Sequence, residues 1–132
     1  MQPFLLENGL CNMNRTKIIQ LNNKKIFFCD LKGVEREDLL TVSQQTWSLF
    51  NSVLIEGEKA NFLIDITNVY IPPILMEEIA SMADRYKNNI AKEGIIGVHG
   101  MNKTVLNIYA WLTGSKLKAF ANQESAMIWL AS

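Results

Sequence analysis

The stretch Asn61-Phe62-Leu63-Ile64-Asp65-Ile66-Thr67-Asn68-Val69-Tyr70-Ile71-Pro72-Pro73 limits the fold more than any other part of the chain. A short apolar run meets an aspartate, then a turn, then two prolines. An apolar run of this length, bounded by turn signals, describes a strand buried on both faces of a sheet. Paired prolines suit the first turn of a helix, where their missing N–H groups would have had no partner in any case. The stretch therefore predicts the central strand of an α/β sheet over 61–67. It delivers Asp65 and Thr67 to the sheet's carboxyl edge, where open α/β sheets bind ligands beside a strand-order switch.

The flanking patterns supply the rest of such a sheet. Lys17-Ile18-Ile19-Gln20-Leu21 and Lys25-Ile26-Phe27-Phe28-Cys29-Asp30-Leu31 read as two strands. Asn22-Asn23 joins them as a tight turn, because asparagine tolerates positive φ. From Arg36 to Ile55 the period becomes helical, with Leu40, Trp47, Phe50 and Leu54 on one face. After the double proline, Leu75, Ile79, Met82, Ala83, Tyr86 and Ile90 recur at three-to-four spacing, which predicts a helix ended by Gly94. Ile95-Ile96-Gly97-Val98 follows as a short buried strand. A third helix is expected over about residues 102–112, then a strand over Lys116–Phe120. Asn122 then caps a last helix that buries Ala126, Trp129 and Leu130, with Glu124 at its positive end. The order ββαβαβαβα predicts an α/β fold: a mixed, largely parallel sheet with an N-terminal antiparallel hairpin and about four helices. Residues 1–15 show no periodicity and form a lead-in; 16–132 form a single domain.

Composition narrows the classes of function. The chain has 132 residues with 13 Lys plus Arg against 13 Asp plus Glu, so its net charge is zero. A neutral chain lacks the basic footprint of nucleic-acid binding, and it also lacks one brake on self-association. No apolar stretch approaches the roughly 20 residues that span a bilayer, and the N-terminal run lacks a basic start, so a cytoplasmic location is expected. Cys29 sits in a strand run and reads as a small hydrophobe; Cys11 lies in the lead-in, and both thiols are expected to be reduced.

Three segments resemble a known family. They are Phe62-Leu63-Ile64-Asp65-Ile66-Thr67, then Gly94-Ile95-Ile96-Gly97-Val98-His99-Gly100, and then Lys116–Phe120 through Ala126-Met127-Ile128-Trp129-Leu130. In this order they are similar to the STAS domain, in its SpoIIAA-like group, which is classed with CRAL-TRIO lipid carriers. The likeness spans about residues 17–131. It implies a binding or regulatory module rather than an enzyme, with no cofactor, and it is an analogy of fold. The anti-sigma factor antagonists of that family carry an Asp-Ser-Ser-Gly-like motif whose serine is phosphorylated. Here that position falls on Pro73-Ile74-Leu75-Met76, so no phospho-switch is expected there. Within residues 70–77 the only hydroxyl is Tyr70.

Candidate site residues gather at the carboxyl edge. Asp65, Thr67, Asn68 and Tyr70 follow the central strand, and His99, Asn102 and Lys103 follow the next one. For Asp65 and Thr67 the competing reading is local: the carboxylate accepts nearby backbone N–H groups and the threonine caps the turn. His99 is the one histidine, with no second ligand at metal spacing and no nucleophile in an elbow motif, so neither a metal site nor a catalytic residue is predicted. Gly97-Val98-His99-Gly100-Met101-Asn102-Lys103-Thr104 approaches a P-loop, but Asn102 stands where the second glycine belongs. A helix start there can still attract an anion. In the third helix Ile108, Trp111 and Leu112 belong to a surface apolar nearly all round, which is either core or interface. Two functions follow as expectations: a protein-interaction module, self-associating as a homodimer or meeting an unknown protein partner, and a carrier of a small apolar or anionic ligand.

Overall fold

The computed structural model describes residues 15–99, 101–114 and 117–132, without the side chains of 101, 102, 105 and 112. Residues 1–14 of the lead-in, with Cys11, lie outside them. Strands β1 (Thr16–Leu21) and β2 (Lys24–Asp30) form the antiparallel hairpin. Its turn residues Asn22 and Asn23 both take positive φ, 51° and 62°, which matches the right-handed twist of the strands they join. The remaining elements are α1 (Leu39–Val53), β3 (Ala60–Asp65), α2 (Pro73–Asp84), β4 (Ile90–Ile96), α3 (Met101–Thr113), β5 (Lys118–Phe120) and α4 (Gln123–Leu130). Short 3-10 turns precede α1 at Arg36–Asp38 and β4 at Lys87–Asn89.

The five strands lie in sequence order, β1-β2-β3-β4-β5, with every pair after the hairpin parallel. The order never reverses, so the sheet has no switch point and no crevice of that origin. That removes the topological reason for expecting a ligand beside β3.

Strand alternation divides the core into two layers. Phe27, Cys29, Phe62 and Ile95 face one side, where Leu39, Val42, Trp47 and Phe50 of α1, Met76, Ala80 and Ala83 of α2 and Tyr109 of α3 cover them. Ile26, Phe28, Leu63 and Ile96 face the other, under Ala126 and Leu130 of α4. Burial on both faces is why these strands read as unbroken apolar runs rather than alternating ones. On the three-helix side Trp47 anchors the aromatic packing, stacked on Tyr86 with ring centroids 5.1 Å apart and tilted 4.9 Å from Phe62.

Expected boundaries differ on both sides of Gly94: the strand read over 95–98 runs instead over Ile90–Ile96 and leaves Gly97 and Val98 outside it. The helix after Pro73 ends at Asp84 instead of running to Gly94, and Ile90 begins β4. Pairing of Ile90 with Ala60 and of Glu93 with Phe62 in β3 overrides the helical spacing that Ile90 shares with Tyr86. Gly94 is therefore a mid-strand residue. A Cβ there would stand 3.3 Å from the Phe120 ring and 3.4 Å from Leu63, so the glycine serves close packing under α4 rather than a helix stop.

The last helix forms as its sequence demands. Asn122 Oδ1 accepts the Ser125 N–H at 2.9 Å and caps α4. At the other end the carbonyls of its last residues and of Ala131 are held from two strands and the hairpin turn. Asn61 of β3 donates to Leu130 O, Lys92 of β4 donates to Trp129 O at 3.0 Å, and Asn22 of the hairpin donates to Ala131 O at 3.4 Å.

Candidate functional site

At the carboxyl edge, Asp65 closes a local turn. Its Oδ1 accepts both the backbone N–H of Thr67, at 2.9 Å, and the Thr67 hydroxyl, at 2.6 Å, while the residue is 8% exposed. The two side chains are thus bonded to each other across the turn, the local contact open to an aspartate two residues before a threonine. Gly97, at φ +88°, presses against this turn so closely that a Cβ would lie 2.5 Å from Thr67 N. The contact seals the β3–α2 and β4–α3 connections against each other. Asn68 (φ +61°), Tyr70, His99 and Lys103 stand exposed at this end of the sheet. The side chains of Asn102 and Leu112 are outside the described set. Among the described residues no group of three His, Cys, Asp or Glu side chains can hold a metal ion.

Between the three helices and the sheet lies an apolar cavity of about 50 Å³, bordered by Cys29, Thr46, Trp47, Ile64, Ile95 and Tyr109. Ligand pockets run to roughly 300–1,000 Å³, and a single water occupies about 30 Å³ in the liquid. This cavity is too small for an acyl chain. Cys29 is a free, buried thiol beside the Thr46 hydroxyl at 3.4 Å, and burial pushes its pKa from 9.0 up to about 11. It is an unreactive small hydrophobe, as its strand position suggests.

A larger cleft, about 450 Å³, opens at the opposite, amino end of β4. It is lined by Lys87, Lys92, Glu93, Tyr109, Thr113 and Trp129, among others. Glu93 is 5% exposed, and its Oε2 accepts the Tyr109 hydroxyl at 2.6 Å. Burial, then the charge of Glu93 and the hydrogen bond to it, hold the Tyr109 phenol well above its ordinary value of 10.0. Thr113 donates its hydroxyl to Tyr109 O at 2.9 Å. On the other wall Lys92 lies over the Trp129 ring, 5.1 Å from its centroid. Of these residues the sequence marks only Trp129, which it places in the core of the last helix and which is half-buried; Lys92-Glu93-Gly94 reads there as the polar end of a helix. The available signal was a carboxylate directly before an apolar strand run.

On α3, Tyr109 is buried and Ile108 half-buried, whereas Trp111 is 82% exposed. The alternative that Trp111 is core is therefore excluded. No helix among the described residues is long and apolar enough to cross a membrane. Compared with family models, curated proteins and solved structures, the chain matches none.

Proposed function

We propose that this domain is a non-catalytic interaction module that associates, first of all with a second copy of itself, through the outward face of α3. The exposed Trp111 carries the reading. Tryptophan is the side chain most enriched where binding energy concentrates, and an indole left in water gives up a large apolar area. Ile55, Ile74 and Ile128 are also exposed, but they lie apart in the chain, in the loop after α1, on α2 and on α4, as scattered surface apolars commonly do. The resemblance to STAS domains supports a binding or regulatory role, and zero net charge leaves no electrostatic barrier between copies. Carriage of an apolar ligand, the other expectation, loses support because the core cavity is only about 50 Å³.

Sedimentation velocity of the wild type beside Trp111→Lys tests the proposal. The expected result is a concentration-dependent dimer in the wild type and a folded monomer in the variant. A wild type that stays monomeric, or a variant of unchanged mass, removes self-association through α3.

A further inference from the structure

The outward face of α3 carries more than Trp111. Tyr109 is buried against the sheet, and Asn107, two positions away and so roughly 200° round the helix, faces away from it. Lys103, Asn107 and Trp111 follow one another at intervals of four and form a single row on the helix surface. All three are exposed, Trp111 at 82%. Among the described residues Lys103 has no ion pair, Asn107 no side-chain hydrogen bond, and Trp111 no stacked ring or cation. The row therefore has a cation at one end, an amide at its centre and an indole at the other end, all turned to water.

That order decides how a second copy can lie on it. Across a two-fold axis residue i meets j and j meets i. With the two helices parallel, Lys103 meets the partner's Lys103, and two ammoniums face each other without a counter-charge. With the helices antiparallel and centred on Asn107, each Lys103 meets the partner's Trp111 instead. An ammonium over an indole is attracted by the negative face of the ring. At the centre each Asn107 carboxamide carries both donor and acceptor, so two copies can exchange hydrogen bonds. Antiparallel helices also set opposite dipole ends side by side. Rows at four-residue spacing align when two helices cross at about 50°, the commonest packing class. At about 1.5 Å rise per residue, Lys103 and Trp111 each stand about 6 Å along the axis from Asn107, close enough to share one crossing.

We propose that α3 docks on α3 of a second copy in antiparallel orientation, centred on Asn107, with each Lys103 ammonium over the indole of the partner's Trp111. This rests on the self-association proposed above and adds its orientation and its polar recognition. The contact is one short row on one helix, so the dimer is weak and reversible, in the class of transient encounters.

Two measurements on the full chain test it. In sedimentation velocity over a concentration series, Lys103→Gln is expected to raise the dimer midpoint about tenfold, since both cation–π contacts are lost at once. Lys103→Arg keeps the cation and is expected to match the wild type. Lys103 is on the surface, so both variants keep the fold. The second measurement is mild oxidation in a Cys11→Ser background, where the only native thiol left is the buried Cys29. Asn107→Cys is expected to give a disulfide-linked dimer and Lys103→Cys to stay unlinked, because disulfides need Cα atoms within about 7 Å. That combination belongs to the antiparallel contact alone; in a parallel one both positions link. A midpoint unchanged by Lys103→Gln or not recovered by Lys103→Arg overturns this docking and leaves self-association through α3 standing. So does a Lys103→Cys chain that links as readily as Asn107→Cys, or an Asn107→Cys chain that dimerises without linking. A wild type that stays monomeric removes both proposals.

Discussion

Gly97 and Gly33 share the left-handed backbone region, at φ +88° and +77°, yet they stand in different surroundings. A Cβ on Gly33 meets nothing within 4 Å, whereas one on Gly97 meets Thr67 N and Oγ1 at 2.5 Å. Gly33→Ala is expected to cost about 1 kcal/mol, the conformational term alone. Gly97→Ala is expected to cost on the order of 3 kcal/mol or more, because the Thr67 backbone must also move. Urea unfolding of both variants checks this, and equal losses would remove the steric argument. A second residue-scale effect concerns alkali. The Cys29 thiol titrates at about 11 when folded against 9.0 ordinarily. The folded state thus holds a proton that the unfolded chain releases between those values. Stability is complete below pH 9 and falls by on the order of 3 kcal/mol as pH rises to 11. Tyr109, raised above 10.0 by burial and Glu93, acts in the same direction. Urea midpoints at about pH 8 and about pH 10.5 measure the fall, and Cys29→Ala is expected to shrink it. A slope identical in Cys29→Ala would assign the effect elsewhere. Local pairs such as Asp65 with Thr67 were legible in the sequence because the partners are two residues apart. Glu93 was not, because its burial depends on Tyr109, 16 residues further on and in another element.

Element identities were legible wherever a period ran undisturbed. The hairpin turn, the proline start of α2 and the Asn122 cap each rest on chemistry local to a few residues. The end of α2 was misread because Ile90 fits a helical stripe and a strand edge equally well, and only pairing with β3 decides between them. For α3, periodicity showed an apolar helix but not which side faces water; that depends on α2 lying beside it and leaving Trp111 outside. The docking of α4 can be tested at this scale. Asn61 bridges Leu130 O and the Lys92 N–H, the latter at 3.1 Å, and is 4% exposed. Asn61→Ala leaves the buried Leu130 carbonyl and the part-buried Lys92 N–H without this partner, which is expected to cost about 2–3 kcal/mol. Amide hydrogen exchange in 125–131 should quicken ahead of exchange in β2 and β3. Uniform quickening would show that Asn61 supports the whole sheet rather than the helix.

At the scale of the whole fold, the described residues form an α/β sheet with three helices on one face and one on the other. Its class and element order could be read from alternating patterns; its strand order could not, since pairing between distant strands leaves no local mark. That order decides where function can sit. A sheet without a switch point has no crevice beside β3, and the space appears instead where β5 stops short of the amino half of β4. The packed core makes a further prediction: protein purified under native conditions should show no apolar cargo by native mass spectrometry. An adduct lost on denaturation, of acyl-chain size, would contradict the cavity of about 50 Å³. The placement of α4 also has a consequence for synthesis. At roughly 5–20 residues per second, a ribosome finishes all five strands before α4 has emerged. Until residue 130 is out, Ile26, Phe28, Leu63 and Ile96 lie bare on one face. A chain whose α4 has not yet docked thus offers that apolar surface to other chains, and the exposure ends when two strands and the hairpin turn together hold the carbonyls at one helix end.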